Sequence, residues 1–506
     1  MEYHASAHRS AGGLGPRGVL AVLLVLLWSG WASALPEQKI PDGDIVQAIE
    51  TEFWADDVVD PNAIDVVVDN GIVTLTGSVP SMLANERALK ITEAIRGVRA
   101  VVDRLAVTPT RIVDDTKLQD AVQEALLLDP ATEEFQVGVQ AAEGVVTLTG
   151  TVGSYQEKEL CEAVVKGVGG VRGIIDHLDI RFDIVRSDRE IQEEIVERMR
   201  NDVLVDNTMV TVSVADGIVN LYGAVGSLAM KNRAIWDAWV GGVHGVHAAD
   251  LAVTWSDGGR DEVLNNDAVP SDQDVRAAVQ DALLYDPRVV PFNPEVSVVD
   301  GEVTLRGVVD NLHARYAAES DAQNVVGVWR VKNFLKVRPD SVVADNALTA
   351  RVEAALSRDP LLQGDAVGVR ATAGEVQLSG MVGSRYEMQH AERVVAGVKG
   401  VVGVANGLTY PDTWVWKPDW QIRRDLEEAL GRSSQMDARG ILVTVDHGVV
   451  SLTGTVATWN ERLLAEQKAR AAGAREVHND LTAADTAFQP SERPFLAPLP
   501  DGNLHH

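Results

Sequence analysis

Gly71-Ile-Val-Thr-Leu-Thr-Gly77 decides the fold, because the chain writes the same sentence five more times. The further copies are Gly144-Val-Val-Thr-Leu-Thr-Gly150, Gly217-Ile-Val-Asn-Leu-Tyr-Gly223, Gly301-Glu-Val-Thr-Leu-Arg-Gly307, Gly374-Glu-Val-Gln-Leu-Ser-Gly380 and Gly448-Val-Val-Ser-Leu-Thr-Gly454. Their first glycines lie 73, 73, 84, 73 and 74 residues apart. Self-similarity at a near-constant period marks a tandem array and argues against one large enzyme domain.

Working outward from the first copy, Ile64–Val68 and Ile72–Thr76 are β-rich runs joined by Asp69-Asn70-Gly71. An Asn-Gly pair between such runs predicts a two-residue hairpin turn, which needs positive φ at both positions. Val73 and Leu75 then share one buried strand face. Upstream, Ile45, Val46, Ile49 and Phe53 recur at helical spacing, the pattern of an amphipathic helix. Asp60-Pro61 reads as its stop, since proline disfavours helix at the preceding residue. Asp129-Pro130, Asp286-Pro287 and Asp359-Pro360 read the same way, and the third and sixth copies lack the proline.

After the second glycine a second helix is expected. Ser154 with Glu157, Ser384 with Glu387 and Thr458 with Glu461 have capping-box spacing, while Ser81, Ser227 and Asn311 offer the cap alone. Gly97-Val98, Gly170-Val171, Gly242-Val243, Gly327-Val328 and Gly400-Val401 mark its end. A last strand follows, such as Ala100–Val107. The unit is helix–strand–strand–helix–strand, an α+β domain with two helices on one face of a three-stranded sheet. With aromatic residues at 5%, the cores should be aliphatic.

Six such units are placed at 40–110, 113–184, 186–255, 271–338, 344–411 and 418–484. The one long interval maps to a polar linker, 256–270, which separates two triplets. Residues 485–506 form a proline-rich tail expected to be disordered. Each unit buries only about 60% of its unfolded surface, so neighbours are expected to lean on one another. At the other end, Arg9 and Arg17 precede the apolar run Val19–Trp28 and the small-residue site Ala32-Ser33-Ala34. That pattern reads as a secretory signal peptide over 1–34, with an uncleaved membrane anchor as the alternative, and the mature protein should be exported. Cys161 is the sole cysteine, so an intrachain disulfide is excluded and a buried thiol is expected.

A net charge of −29 repels polyanions. With no run of Lys and Arg to neutralise phosphates, nucleic acid is excluded as a partner. Nothing repeats that could carry chemistry. His244 and His247 fall on opposite faces of a strand, no G-x-S-x-G appears, and the Asp-Gly turns lack the alternating oxygens of a calcium loop. No catalytic residue, metal site or cofactor is assigned. The aromatic cluster Tyr410, Trp414, Trp416 and Trp420, between the fifth and sixth units, is the one candidate binding feature. These rings either staple the two units together or contact lipid headgroups or a partner protein. Trp236 and Trp239 pose the same question in the third unit.

The helix, the glycine-framed hairpin, the second helix and the Gly-Val pair before a strand resemble the BON domain in all six copies. That family, named for an osmotically inducible periplasmic protein and for nodulation, implies a non-catalytic envelope domain. It also implies phospholipid membrane surfaces as the partner and a part in osmotic stress protection or envelope maintenance. A periplasmic protein-binding scaffold, spacer or chaperone-like module is the alternative, with envelope proteins as partners.

Overall fold

The computed structural model describes residues 40–483, apart from 133–134, 183–185, 206–208, 255–269, 365, 412–415 and 457. The signal segment, nearly all of the linker, the tail and Trp414 therefore lie outside the described residues. In the first repeat the elements are α1 (Asp42–Ala55), β1 (Ile64–Asp69), β2 (Ile72–Val79), α2 (Met82–Glu93) and β3 (Ala100–Val107). The central strand β2 runs antiparallel to β1, pairing Val66 with Leu75, and parallel to β3, pairing Val73 with Val101. The same order recurs in the other five repeats. The third differs only in its last strand, which is split into Gly245–His247 and Leu251–Val253.

The hairpin turn is as the sequence predicts. Asn70 and Gly71 have φ of 52° and 76°, and the matching pair in each copy has the same left-handed geometry. An unforeseen clip holds it: the Asp42 carboxylate accepts from the amides of Asn70 (2.9 Å) and Gly71 (3.0 Å). Asp115, Asp188, Asp272 and Asp419 do the same for their own hairpins, and Asp345 accepts from the Ala373 amide. An acid in the first turn of a helix is also favoured by the helix dipole. The second motif glycine is not an element boundary. Gly77 lies inside β2 at φ 121°, where a Cβ would stand 2.1 Å from the Ala63 carbonyl oxygen. Only glycine lets the partner backbone approach so closely.

Asp60-Pro61 does not stop the first helix, which ends at Ala55. Asp56 ends it, its carboxylate accepting from the Val58 and Val59 amides at 3.0 and 3.2 Å. Asp129, Asp202, Asp286 and Asp359, each fifteen residues before a hairpin glycine, make the equivalent bond two residues on. Ser433 replaces the acid in the sixth repeat. A short acid that satisfies the following backbone favours a turn over another helical residue. The return acids at Ser154 and Ser384 also differ from expectation: Glu157 and Glu387 accept from Gly153 and Gly383 instead. Complete capping boxes stand on first helices, at Ser187–Glu190 and Ser271–Asp274.

The cores are aliphatic, with Phe53 their one fully buried aromatic among the described residues. Cys161 is buried in the second core, and burial pushes its thiol up to about 12. A thiol so high is not a nucleophile at neutral pH.

The two triplets fold back on each other, pairing repeat 1 with 6, 2 with 5 and 3 with 4. One backbone contact recurs at these junctions. An amide twenty-five residues past its hairpin glycine donates to a carbonyl at the end of the partner's first helix. The bonds are Arg96 to Arg432 (2.9 Å), Gly169 to Arg358 (2.6 Å), Lys399 to Leu128 (3.2 Å) and Val326 to Asn201 (2.9 Å). Ser434 and Val203 each add a second bond, to Ala94 (2.8 Å) and Asn324 (3.0 Å). In repeats 2 and 5 that donor position is Pro130 and Pro360, which carry no N–H. Repeats 3 and 6 lack the proline where the junction uses the amide.

Candidate functional site

Of the predicted aromatic cluster, Tyr410 is 40% exposed, Trp416 70% and Trp420 62%. Trp420 has the Arg424 guanidinium over its ring at 5.5 Å. By contrast, Trp239 stacks on Tyr155 of the second repeat at 4.4 Å, with Trp236 edge-on to the same ring at 5.9 Å. Gln156 donates to the Trp239 carbonyl at 2.9 Å. These two tryptophans join repeats 2 and 3. His244 sits just before the split last strand, its ring edge-on to Phe182 at 5.8 Å.

Sequence reading by unit missed two further features, both of which appear when the repeats are compared position by position. The first is the outer face of the fourth sheet. Its last strand, Arg330–Val337, and the following Arg338 read Arg-Val-Lys-Asn-Phe-Leu-Lys-Val-Arg. Inward positions such as Leu335 are buried, so Arg330, Lys332, Phe334 and Lys336 share the outer face. The register sets Arg306 beside Phe334 and Val308 beside Lys336, and the Arg306 guanidinium lies over the Phe334 ring at 5.6 Å. Phe334 is 55% exposed, Val308 45% and Val299 66%. Glu302 answers Arg330 at 3.5 Å and also Lys332. The matching outward positions are Gly173, Ile175, His177 and Asp179 in the second repeat and Gly403, Ala405, Gly407 and Thr409 in the fifth. In an acidic protein this face gathers cations beside exposed apolar side chains, unlike the matching faces of the second and fifth repeats.

The second feature is a cavity of about 490 Å³ where repeats 1 to 4 meet. It is lined by Arg198, Asp202, Arg233 and Asp237 of the third repeat and by Asp286, Arg288 and Asp321 of the fourth. Arg233 forms a close ion pair with Asp202, and Arg288 holds Asp286 through Nε at 2.9 Å. Burial, then the nearby Asp202 charge, pushes the Asp237 carboxyl up to about 7 despite Arg233 and Arg198. Burial and Asp286 likewise hold Asp321 well above the usual carboxylate range.

A unit of two helices and a three-stranded sheet, repeated six times, defines a tandem array of small α+β domains. The BON domain family matches it at residues 41–109, 114–181, 187–254, 271–339, 344–412 and 418–485. The chain belongs to the BON domain family. Osmotically-inducible protein Y of Escherichia coli (strain K12) is 29% identical over 143 residues, covering 27% of this chain and 71% of that protein. Two solved structures of CdsD, a structural protein of the type III secretion system of Chlamydia trachomatis, are 14% identical. The match to one spans 44% of this chain and 99% of that chain, with a TM-score of 0.12. The match to the other, its C-terminal domain, spans 43% and 100%, with the same score. A score that low carries nothing further about this fold.

Proposed function

We propose that this is an exported, non-catalytic protein of the bacterial envelope, in the periplasm, that binds phospholipid surfaces and serves envelope maintenance or osmotic stress protection. The fourth sheet's outer face carries this reading. Arg306, Lys332, Lys336 and Arg338 supply cations for anionic headgroups, and Phe334, Val308 and Val299 supply an apolar surface among them. Attraction by basic residues and partial burial of an exposed apolar face are the two contributions that hold a peripheral protein at a membrane. The osmotic role rests on the name of the E. coli relative, and export rests on the signal-peptide pattern. Among the described residues no helix is long and apolar enough to cross a membrane, which suits a surface-bound mode.

Flotation of the mature protein with vesicles tests this. Co-flotation with phosphatidylglycerol-rich vesicles, weakened by salt, is expected; its absence at every lipid composition and salt concentration refutes the proposal. The exposed rings of Tyr410, Trp416 and Trp420 favour a second reading, a scaffold for envelope proteins. Capture of one specific envelope protein that Trp416→Ala/Trp420→Ala abolishes would support it.

A further inference from the structure

Twenty residues after the first hairpin glycine, the repeats carry Ile91, Val164, Asp237, Asp321, Val394 and Lys468. The fold therefore accepts an aliphatic residue here on the second helix, and in repeats 1, 2 and 5 it has one. Repeats 3 and 4, which pair with each other, instead place a carboxyl at this position, and both carboxyls line the same cavity. Burying a carboxyl is costly unless it is answered, so two acids at matched positions call for a reason beyond folding.

The local hydrogen bonding leaves Asp237 unanswered and answers Asp321 only in part, through a hydrogen bond shared with Asp286. Asp237 is fully buried, yet neither of its oxygens has a hydrogen-bond partner. Arg198 and Arg233 stand 3.3 and 3.7 Å from Oδ1, near enough for attraction only. Asp321 Oδ2 is likewise without a hydrogen bond. On the donor side the deficit is one atom, Arg198 Nη1, whose guanidinium lies over the Tyr285 ring at 4.3 Å. Four aspartates face three arginines, so with every carboxyl ionised the set carries one surplus negative charge. The outer lining adds Glu86, Glu159, Glu194, Glu197 and Asp281 against Lys166, so acids outnumber bases around the cavity. A volume of about 490 Å³ lies in the range of small-molecule sites.

We propose that this cavity binds a small molecule carrying a protonated amino group, held by Asp237 and Asp321. An ammonium has three N–H donors and no acceptor, matching in number the three orphan carboxylate oxygens. Among the described residues no group of three His, Cys, Asp or Glu has the geometry to hold a metal ion, which favours an organic cation. The orphan Nη1 of Arg198 would donate to the carboxylate of an amino acid, so a simple amine and an amino acid share the ammonium chemistry. This inference stands apart from the membrane reading and survives its failure.

Isothermal titration calorimetry on the full mature chain at constant ionic strength tests it, with 1,4-diaminobutane, lysine and the neutral 1,4-butanediol as probes. Saturable one-to-one binding of the diamine or of lysine is expected, and none of the diol. Affinity should fall at least tenfold in Asp237→Val/Asp321→Val, whose side chains repeats 2 and 5 already carry at this position. Asp321→Asn serves if the double variant does not fold. The exposed pair Glu193→Gln/Glu476→Gln removes two charges elsewhere and should leave affinity unchanged. No saturable heat with either amine, unchanged affinity in the cavity variants, or an equal loss in the surface pair would overturn the proposal.

Discussion

At the junction of repeats 2 and 5 the Gly169 and Lys399 amides cross to the Arg358 and Leu128 carbonyls, and the contact is reciprocal. The matching places on its helices hold Ala125, Val164, Ala355 and Val394. At the junction of repeats 3 and 4 the Val326 and Val203 amides cross to the Asn201 and Asn324 carbonyls, and those places hold Arg198, Asp237, Ala282 and Asp321. One backbone geometry thus accepts both an aliphatic and an ionic filling. The aliphatic junction shows what the array needs in order to fold, and the charged one shows what has been added.

Removing a counterion should separate the two junctions most clearly. Arg198→Ala creates the alanine of Ala125 and Ala355, yet leaves Asp237 buried beside Arg233 alone. A loss of about 3–5 kcal/mol is expected in urea unfolding at pH 7.5; a loss below about 1 kcal/mol would show that the junction does not depend on the pair. At the aliphatic junction the sensitive point is steric. A Cβ on Gly169 would stand 1.9 Å from Gln363 Nε2 and 3.0 Å from the Arg358 carbonyl oxygen. Gly169→Val should cost about 1–3 kcal/mol by overpacking, and limited proteolysis should show repeats 2 and 5 opening.

Asp321→Val tests the surplus charge directly, because it leaves three aspartates against three arginines. It should stabilise the protein by about 1 kcal/mol or more above pH 7. The sign follows from the raised carboxyls of Asp321 and Asp237. Between the ordinary carboxylate range near pH 4 and the raised folded values of these two carboxyls, the folded chain binds more protons than the unfolded one, so wild-type stability falls as pH rises. The gain from Asp321→Val should therefore vanish near pH 4, and a gain independent of pH would contradict this account. The smallest effect is expected from Val203→Pro. It removes one junction hydrogen bond, at a position where Pro130 and Pro360 show that the backbone tolerates proline, and should cost about 0.5–1.5 kcal/mol by thermal unfolding.

The fold was legible because its signals are local. Asp69-Asn70-Gly71 fixes the hairpin, Ile45, Ile49 and Phe53 fix a helix face, and six recurrences remove ambiguity. The Asp42 clip was equally visible as an acid twenty-nine residues before every first glycine, but a single helix-start acid reads as a cap until its distant partner is seen. Asp60-Pro61 misled because proline is a stronger breaker than aspartate, whereas the turn is made by Asp56. The junctions could not be read, since Ser434 donates to a carbonyl 340 residues away and no local pattern encodes that path. The missing prolines of repeats 3 and 6 were a trace of it without an evident cause. Asp237 and Asp321 look like ordinary acids on a helix until Ile91, Val164 and Val394 are set beside them.

The fourth sheet follows the same logic as the charged junction, in that one repeat departs from what its sisters show the fold requires. Its claim is tested most directly by vesicle binding of wild type beside Arg306→Glu/Lys332→Glu/Lys336→Glu, all on an exterior strand face. The account predicts that wild type binds phosphatidylglycerol vesicles and that the triple variant, with unchanged circular dichroism, binds at least tenfold more weakly. Equal binding by the two proteins would contradict it.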